Sequence, residues 1–204
     1  MRNAVRSFIA IELPAEFKAE LTSVEDKLKA GHHPFVKWVN PSGIHLTLKF
    51  LGNIAPEKIT GITYVLTEVA SVIPPFQLGL GKLGAFPNLR RPRVIWVAIT
   101  GDVERLAILN REVESALDSL GFPRESRPFS PHLTLARLRE RTSSIEREEL
   151  GKFTASTPFQ SKLIFEVNTI SLMKSELNPR GAVYHRLASI ALGLDSPESP
   201  SPLT

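Results

Sequence analysis

The segment His-Leu-Thr-Leu occurs twice in this chain, at residues 45–48 and again at residues 132–135. In each copy polar side chains alternate with leucines, which is the period-two pattern of a β-strand with one buried face. His45 and Thr47 then share the other face, roughly 7 Å apart along the strand, and His132 and Thr134 do the same. If the two strands lie side by side or face each other, the four polar side chains meet in one cleft.

Two histidines and two threonines in one cleft can act on a phosphodiester. Breaking such a bond needs one group that takes a proton from the attacking oxygen and another that gives a proton to the leaving oxygen. Because histidine has an unperturbed pKa of about 6.5, one ring can be neutral and the other protonated at neutral pH. Threonine hydroxyls can donate hydrogen bonds to the non-bridging phosphate oxygens as negative charge develops.

Paired histidines also have two ordinary uses that involve no acid–base catalysis. A single histidine on a strand is often a half-buried residue with a structural role, and the doubling of the motif argues against that interpretation here. Metal binding is the second use. The flanking residues 46, 49–50, 133 and 136–137 offer no cysteine or carboxylate that would complete a coordination shell. We therefore expect a site without metal.

The two motifs and their surroundings resemble the 2H phosphoesterases, a family named for two His-x-Thr-x motifs. Within that family the sequence looks most like the RNA 2′,3′-cyclic phosphodiesterases once called 2′-5′ RNA ligases. The resemblance extends over most of the chain, and it is carried by residues 6–14, 36–39, 45–52, 93–97 and 129–137.

The resemblance implies an enzyme that hydrolyses a 2′,3′-cyclic phosphate at an RNA end to a 2′-phosphate, without a cofactor. It makes His45 the proton donor to the leaving 3′ oxygen and His132 the proton acceptor that activates water; the residues alone leave this assignment open. Two alternatives remain at this point. One is the reverse reaction, which joins a cyclic-phosphate end to a 5′-hydroxyl end, and the other is a non-catalytic module that binds RNA ends or nucleotides. The expected partners are RNA ends bearing a 2′,3′-cyclic phosphate, with tRNA fragments as one candidate.

Arg137 and Lys49 are candidate substrate-binding residues with opposite parity. By simple alternation Arg137 lies on the face opposite His132, yet the resemblance associates this arginine with the substrate phosphate. Either the strand bends after Leu135 or Arg137 is structural. Lys49 has the same parity as His45 and would add positive charge to the cleft, although the family does not demand a lysine there.

Aromatic residues and a basic loop complete the predicted binding set. Residues 84–93 form a loop whose arginines, Arg91 among them, could hold phosphates while Phe86 stacks a base. An ordinary charged hairpin tip is the alternative interpretation of this loop. Phe8, near the exposed edge of the first predicted strand, and Tyr184, in the last one, are further candidates for contact with the substrate.

Composition places the chain among globular proteins. Its 25 Lys and Arg against 21 Asp and Glu give a net charge of +4, which favours polyanionic partners without demonstrating them. It has no cysteine, no signal peptide and no long apolar span, so we expect a cytoplasmic protein that does not interact with membranes. We also expect a monomer.

The predicted fold class is α+β, with two similar lobes of antiparallel sheet backed by helices around a central cleft. The antiparallel sheets are implied by the resemblance, and each lobe would contribute one His and one Thr. Residues 1–194 are expected to form a single bilobal domain and residues 195–204 a flexible tail. Helices are predicted over residues 15–30, 56–71 and 102–120, a charged helical connector over 140–149, and a turn over 175–181.

Overall fold

A computed structural model describes residues 4–178 and 181–193 of the chain. The helices are α1 (Ala15–Lys29), α2 (Lys58–Ser71), α3 (Val103–Asp118) and α4 (Ser144–Ser156). The strands are β1 (Val5–Glu12), β2 (Val36–Trp38), β3 (His45–Ile54), β4 (Phe76–Phe86), β5 (Val94–Gly101), β6 (His132–Leu138), β7 (Ile164–Val167), β8 (Thr169–Asn178) and β9 (Gly181–Ala191). The strands form two antiparallel sheets, with the order β3-β1-β8-β9 in one and β2-β6-β5-β4-β7 in the other.

Each sheet has its own pair of helices. Helices α2 and α3 pack on the four-stranded sheet, and α4 packs on the five-stranded one. Helix α1 follows β1 in the chain but crosses to the five-stranded sheet, where the Phe17 ring lies 4.7 Å from the ring of Phe165 on β7. The two lobes are therefore interleaved in sequence, and the predicted α+β architecture of two antiparallel sheets backed by helices is confirmed.

Local signals explain where the helices begin and which face they bury. On α1 the side chains of Phe17, Leu21 and Leu28 recur every three or four residues and are fully buried. Helix α4 begins four residues later than the predicted connector because Ser143 caps it. The Ser143 hydroxyl accepts a hydrogen bond from the Glu146 N–H, and the Glu146 carboxylate accepts one from the Ser143 N–H, which forms a capping box.

A β-bulge interrupts β3 immediately after its His-x-Thr motif. Thr47 pairs with Ala10 and Lys49 pairs with Ile9, which leaves Leu48 without a counterpart on β1. The bulge reverses the alternation of side chains between the two faces of the sheet. The Lys49 side chain therefore lies on the same buried face as Ile9, and that face packs towards the helices. The expectation that Lys49 lies beside His45 on the cleft face is therefore wrong.

A matching bulge interrupts β6 after the second motif. Trp96 pairs with Thr134 and Ile95 pairs with Ala136, which leaves Leu135 without a counterpart on β5. Here the inversion turns Arg137 onto the face of His132 and Thr134. Of the two alternatives for Arg137, the structure therefore supports a strand that bends after Leu135.

Each bulge leaves a backbone carbonyl that needs a hydrogen-bond donor from elsewhere in the protein. The donor differs between the two lobes. The Leu135 carbonyl accepts a hydrogen bond from the Val39 N–H at 2.8 Å, just beyond β2. In the other sheet β3 is an edge strand, and there the buried Asn110 side chain of α3 donates to the Leu48 carbonyl at 2.8 Å. Both bulges are thus stabilised by partners outside the paired strand.

Of two further expectations, the structure decides only the first. The turn predicted over residues 175–181 is wrong, because β8 continues to Asn178 and pairs with β9 from Gly181 onward. The tail predicted over 195–204 lies outside the described residues. In the described parts of the chain, no helix combines the length and the apolar character that crossing a membrane requires.

Candidate active site

The two His-Leu-Thr-Leu motifs face each other across a cleft between the sheets. A cavity of about 550 Å³ opens there, and the histidine and threonine of each motif line it. The leucines of both motifs are buried in the core behind them. The lining also includes three of the predicted binding residues, Arg137, Phe8 and Tyr184. The convergence that the doubled motif predicted is present in the structure.

Both histidine rings are held in the same way by the backbone. The Nδ1 atom of His45 lies 2.8 Å from the Gly43 carbonyl oxygen, and that of His132 lies 2.7 Å from the Ser130 carbonyl oxygen. Because a carbonyl only accepts, each Nδ1 must carry the proton and donate it. In the neutral ring Nε2 is then an acceptor, and in the protonated ring it is a donor. Either ring can therefore serve as base or acid through Nε2.

The His45 ring is packed between two aromatic side chains. Phe8 stacks on it with ring centroids 4.5 Å apart and planes inclined by 26°, and Tyr184 contacts it edge-on at 4.8 Å. Gly43 leaves room for Tyr184, since a Cβ at that position would lie 3.1 Å from the tyrosine ring. Phe8 is only 2% exposed, so its ring supports His45; direct contact between Phe8 and a substrate stays a prediction.

The His132 ring is supported by a different aromatic pair. The Phe86 ring contacts it edge-on, with ring centroids 4.8 Å apart. The centroid of the Trp96 ring lies 6.3 Å away, with the two ring planes inclined by 57°. Trp96 lies over Gly84 of β4, where a Cβ would come within 2.3 Å of the indole. Any larger residue at position 84 would therefore displace Trp96. Phe86 thus lies at the end of β4, in contact with His132. Its stacking on a base stays a prediction.

Burial lowers the pKa of both histidines, so the neutral form of each ring is favoured. For His45, the hydrogen bond to Gly43 opposes this effect, and the nearby charges have both signs, Lys18 lowering the pKa and Glu12 raising it. For His132, the hydrogen bond to Ser130 raises the pKa, while the one contributing charge, Arg137, lowers it further. Both burial and the Arg137 charge therefore favour the neutral form of His132.

The hydroxyls of Thr47 and Thr134 are available to a ligand. Within the described residues neither hydroxyl has a hydrogen-bond partner in the protein, although both side chains line the cleft. Arg137 is exposed beside them and likewise makes no ion pair among the described side chains. These three groups can donate hydrogen bonds to a bound phosphate.

Phe50 is a site residue that simple alternation missed. It is 69% exposed, lines the cleft, and lies 6.1 Å from Phe8, opposite which it pairs on β1. Because the two bulges are equivalent, Phe50 follows Thr47 as Arg137 follows Thr134. Phe50 and Arg137 each lie three residues after the threonine of their motif. This shared spacing would have identified Phe50 as a site residue if the bulge had been known.

Lys49 and Arg91 do not lie where they were expected to act. The ammonium group of Lys49 is buried, pairs with the Glu114 carboxylate on α3, and donates to the Pro123 carbonyl at 2.8 Å. Its charge is therefore neutralised by Glu114, and it adds no free cation to the cleft. Arg91 is exposed on the loop after β4, outside the lining of the cleft. Its role in binding stays a prediction.

A second, larger cavity of about 880 Å³ continues from the cleft. It shares Thr47, Phe50 and His132 with the smaller cavity but not His45, and it extends towards α3 and the irregular segment 123–130. Arg93, one of the arginines of the predicted basic loop 84–93, lies on its wall. Across the described part of the chain, no cluster of three or more His, Cys, Asp or Glu side chains could hold a metal ion.

The sequence and structure resemble proteins already known. Residues 13–179 match the model of the 2′-5′ RNA ligase superfamily. An RNA 2′,3′-cyclic phosphodiesterase of Methanothermobacter thermautotrophicus is 30% identical over 88% of this chain and 95% of its own. A Thermus thermophilus crystal structure, 29% identical, aligns with a TM-score of 0.75 over 92% of this chain and 97% of that chain. E. coli LigT complexed with 3′-AMP, 27% identical, aligns with a TM-score of 0.72 over 94% of this chain and 99% of that chain. The chain belongs to the 2′-5′ RNA ligase superfamily.

Proposed function

We propose that this protein hydrolyses the 2′,3′-cyclic phosphate at an RNA end to a 2′-phosphate, with its two histidines as general acid and general base. The observation that carries the proposal is the matched pair of rings, each anchored through Nδ1 to a backbone carbonyl and each presenting Nε2 for proton transfer. Membership of the superfamily supports the class of reaction, because relatives about 30% identical are RNA 2′,3′-cyclic phosphodiesterases.

In the proposed mechanism, His132 accepts a proton from water as the water oxygen attacks phosphorus. The bond from phosphorus to the 3′ oxygen breaks on the opposite side, and His45 donates its proton to that oxygen. The positive charge of Arg137 favours the neutral form of His132 before reaction. Negative charge on a bound phosphate raises the pKa of the ring beside it, which allows His45 to hold a proton in the complex.

Thr47, Thr134 and Arg137 stabilise the negative charge that develops on the non-bridging oxygens. Their donor groups have no competing partner within the described residues, and all three line the cleft. Preorganised donors of this kind contribute more to the transition state than water does, since they need no reorientation during the reaction. Tyr184 and Phe50 flank the phosphate site and supply apolar surface for the nucleoside.

The proposal is tested with an RNA oligonucleotide that ends in a 2′,3′-cyclic phosphate. The oligonucleotide is incubated in chelator with the unmodified protein and with His132→Ala, and the 2′- and 3′-phosphate products are separated. We expect the unmodified protein to form only the 2′-phosphate, and His132→Ala to be at least about 100-fold slower. Arg111→Ala, on an exposed part of α3, is the matched control and should have no effect.

Other outcomes would identify the alternatives. Absence of conversion, together with tight binding of the cyclic end, would indicate an RNA-end binding module. Loss of activity in chelator that is restored by a divalent ion would contradict a reaction carried by protein groups alone. A 3′-phosphate product would contradict the assignment of the leaving oxygen.

A further inference from the structure

We propose that the buried Lys49–Glu114 ion pair positions His132 for catalysis by holding residues 123–130, the segment that leads into the second motif. Lys49 and Glu114 are positioning residues, because they act on the ring through the backbone of this segment. The kinetic consequence rests on the proposed function, since His132 is the proposed general base. The inference gives a role to a lysine that the His-x-Thr motif itself does not explain.

One carboxylate oxygen of Glu114 connects strand β3 to this segment. Its Oε2 atom accepts hydrogen bonds from the Lys49 ammonium group and from the Glu125 N–H, the second at 3.1 Å. The same ammonium group donates a hydrogen bond to the Pro123 carbonyl at 2.8 Å. The backbone of the segment is therefore bound at two neighbouring points to a single charged pair.

Few other contacts hold the backbone of this segment. In the described part of the chain, no backbone group of residues 123–130 forms a hydrogen bond with another backbone group outside it. Residues 123–128 are exposed, and Phe129 packs partly against the core. Arg124 contacts α3 through its side chain alone, at Ser115 and Asp118. The ion pair therefore fixes the course of the backbone ahead of Phe129.

The other end of the segment holds the catalytic ring. The Ser130 carbonyl accepts a hydrogen bond from His132 Nδ1 at 2.7 Å, so its position sets the orientation and the tautomer of the imidazole. Pro128 and Pro131 flank Phe129 and Ser130 and restrict their backbone conformations. A displacement of residues 123–125 is thus passed on towards Ser130 rather than absorbed by free rotation.

Stability alone does not explain an ion pair at this position. The Lys49 side chain is 4% exposed and that of Glu114 is 13% exposed, so both charges are largely removed from water. Desolvation offsets much of their attraction, and well-packed apolar side chains of similar volume would stabilise the fold about as well. Apolar side chains could not form the directional hydrogen bonds to Pro123 and Glu125. The pair therefore contributes position more than stability.

The anchor of His45 does not depend on this pair. Its Gly43 carbonyl belongs to a short 3-10 helix, Pro41–Gly43, that has local hydrogen bonds of its own. The Asn40 side chain accepts a hydrogen bond from the Ser42 N–H at 3.0 Å, and the Gly43 N–H donates to the Asn40 carbonyl at 2.9 Å. His45 therefore serves as an internal reference for any change at His132.

The test replaces the ion pair with apolar side chains of similar size. The double variant Lys49→Met with Glu114→Leu leaves no buried charge unpaired, so it should unfold at a temperature close to that of the unmodified protein. It lacks the hydrogen bonds that hold the segment. The matched control is Lys152→Met with Glu148→Leu, which removes an exposed ion pair of the same residue types on α4.

The first measurement is the tautomer of each histidine, read from nitrogen NMR spectra at about pH 8, where the lowered pKa values leave both rings neutral. His45→Ala and His132→Ala identify the signals. We expect the proton on Nδ1 of both rings in the unmodified protein and in the control. In the double variant His132 should become a mixture of the Nδ1–H and Nε2–H forms, whereas His45 should not change.

The second measurement is steady-state hydrolysis of the cyclic-phosphate RNA end. We expect kcat of the double variant to fall roughly 10- to 100-fold, because a ring that is displaced or protonated on Nε2 cannot accept the proton of water. KM should change much less than kcat, since Thr134 and Arg137 lie on β6, beyond the segment. The control should behave as the unmodified protein.

An unchanged kcat and an unchanged His132 tautomer in the folded double variant would overturn the inference. Equal changes at His45 and His132 would also overturn it, because they would indicate a general loosening of the structure. Glu114→Asp keeps the charge but shortens the side chain, so it should produce the same selective change in smaller measure, and it decides the question if the double variant does not fold. Absence of hydrolysis by the unmodified protein would contradict the proposed function, while the tautomers would still test the positioning.

Discussion

The two lobes share the local backbone structure around their histidines and differ in the side chains that surround it. In both, a histidine is anchored through Nδ1 to the carbonyl two residues earlier, a threonine follows on the same face, and a bulge comes next. After the bulge one lobe presents Phe50 to the cleft and the other presents Arg137. In the proposed mechanism, the identical elements thus carry the two proton transfers, and the different side chains after the bulges contact different parts of the substrate.

The supports of the two rings differ as well. His45 is stacked on Phe8 and has charges of both signs nearby, whereas His132 is held edge-on by Phe86 and has only Arg137 as a charged influence. The two rings therefore share a backbone anchor but have different neighbours, while burial lowers the pKa of both. We propose that these different neighbours separate the acid from the base.

Removing either imidazole should produce the largest effect. We expect His45→Ala and His132→Ala each to lower kcat by at least about 100-fold, because each removes one of the two proton transfers. Binding of a non-hydrolysable RNA end should persist in both variants. Steady-state kinetics and binding measured by fluorescence anisotropy check this prediction. A defect confined to affinity would contradict a role of the histidines in proton transfer and would indicate a module that only binds RNA ends.

Removing either threonine hydroxyl should have the next largest effect. Thr47→Val and Thr134→Val keep the shape of the side chain but remove a donor to the phosphate oxygens. We expect kcat to fall roughly 10- to 100-fold in each, with thermal stability nearly unchanged because neither hydroxyl bonds to another described residue. If kcat fell in only one variant, only one of the two threonines would stabilise the developing charge, although the two lobes have the same geometry.

Substitutions of Phe50 and Arg137, which occupy equivalent positions, should weaken oligonucleotide binding in different ways. Both Phe50→Ala and Arg137→Ala should raise KM for an oligonucleotide roughly tenfold, but the arginine effect should shrink as salt increases and the phenylalanine effect should not. Arg111→Ala, which alters an exposed arginine outside the cleft, is the control. The same salt response for both variants would contradict the division into charge and stacking.

The positions of Phe50 and Arg137 illustrate how much of the site could be predicted from the sequence. The doubled motif was sufficient to predict two lobes, the cleft and four converging side chains, and the family resemblance added the antiparallel sheets. It was not sufficient beyond Thr47 and Thr134, because each bulge depends on a donor distant in the chain, Asn110 in one lobe and the Val39 N–H in the other. Simple alternation therefore assigned Lys49 to the wrong face.

The Asn110 side chain provides a smaller test of the difference between the bulges. Asn110→Ala leaves the Leu48 carbonyl buried without its donor, and we expect the free energy of unfolding to fall by about 1–3 kcal/mol. Chemical denaturation measures this change. Asn168→Ala, which alters an exposed asparagine between β7 and β8, is the control and should change stability by less than about 0.5 kcal/mol. Equal losses would indicate that the bulge needs no support from α3.

The pH dependence should show the smallest effect. Burial and Arg137 lower the pKa of His132, so the acidic limb of kcat/KM should lie below pH 6.5, roughly the ordinary value for histidine. Removing the positive charge with Arg137→Gln raises that pKa, and the limb should move to higher pH by roughly a few tenths of a unit. A pH–rate profile of both proteins checks the sign. A shift to lower pH would contradict the assignment of His132 as the base.

The most direct test of the central claim, that equivalent histidines have different roles, uses a cyclic substrate whose 3′ bridging oxygen is replaced by sulfur. A sulfur leaving group departs as a thiolate and needs no proton, so only the acid becomes dispensable. We predict that the loss caused by His45→Ala shrinks from about 100-fold on the oxygen substrate to below about tenfold on the sulfur substrate. His132→Ala should remain about 100-fold slower on both. Equal losses for both variants on both substrates would contradict the account, and rescue of His132→Ala instead would reverse the two roles.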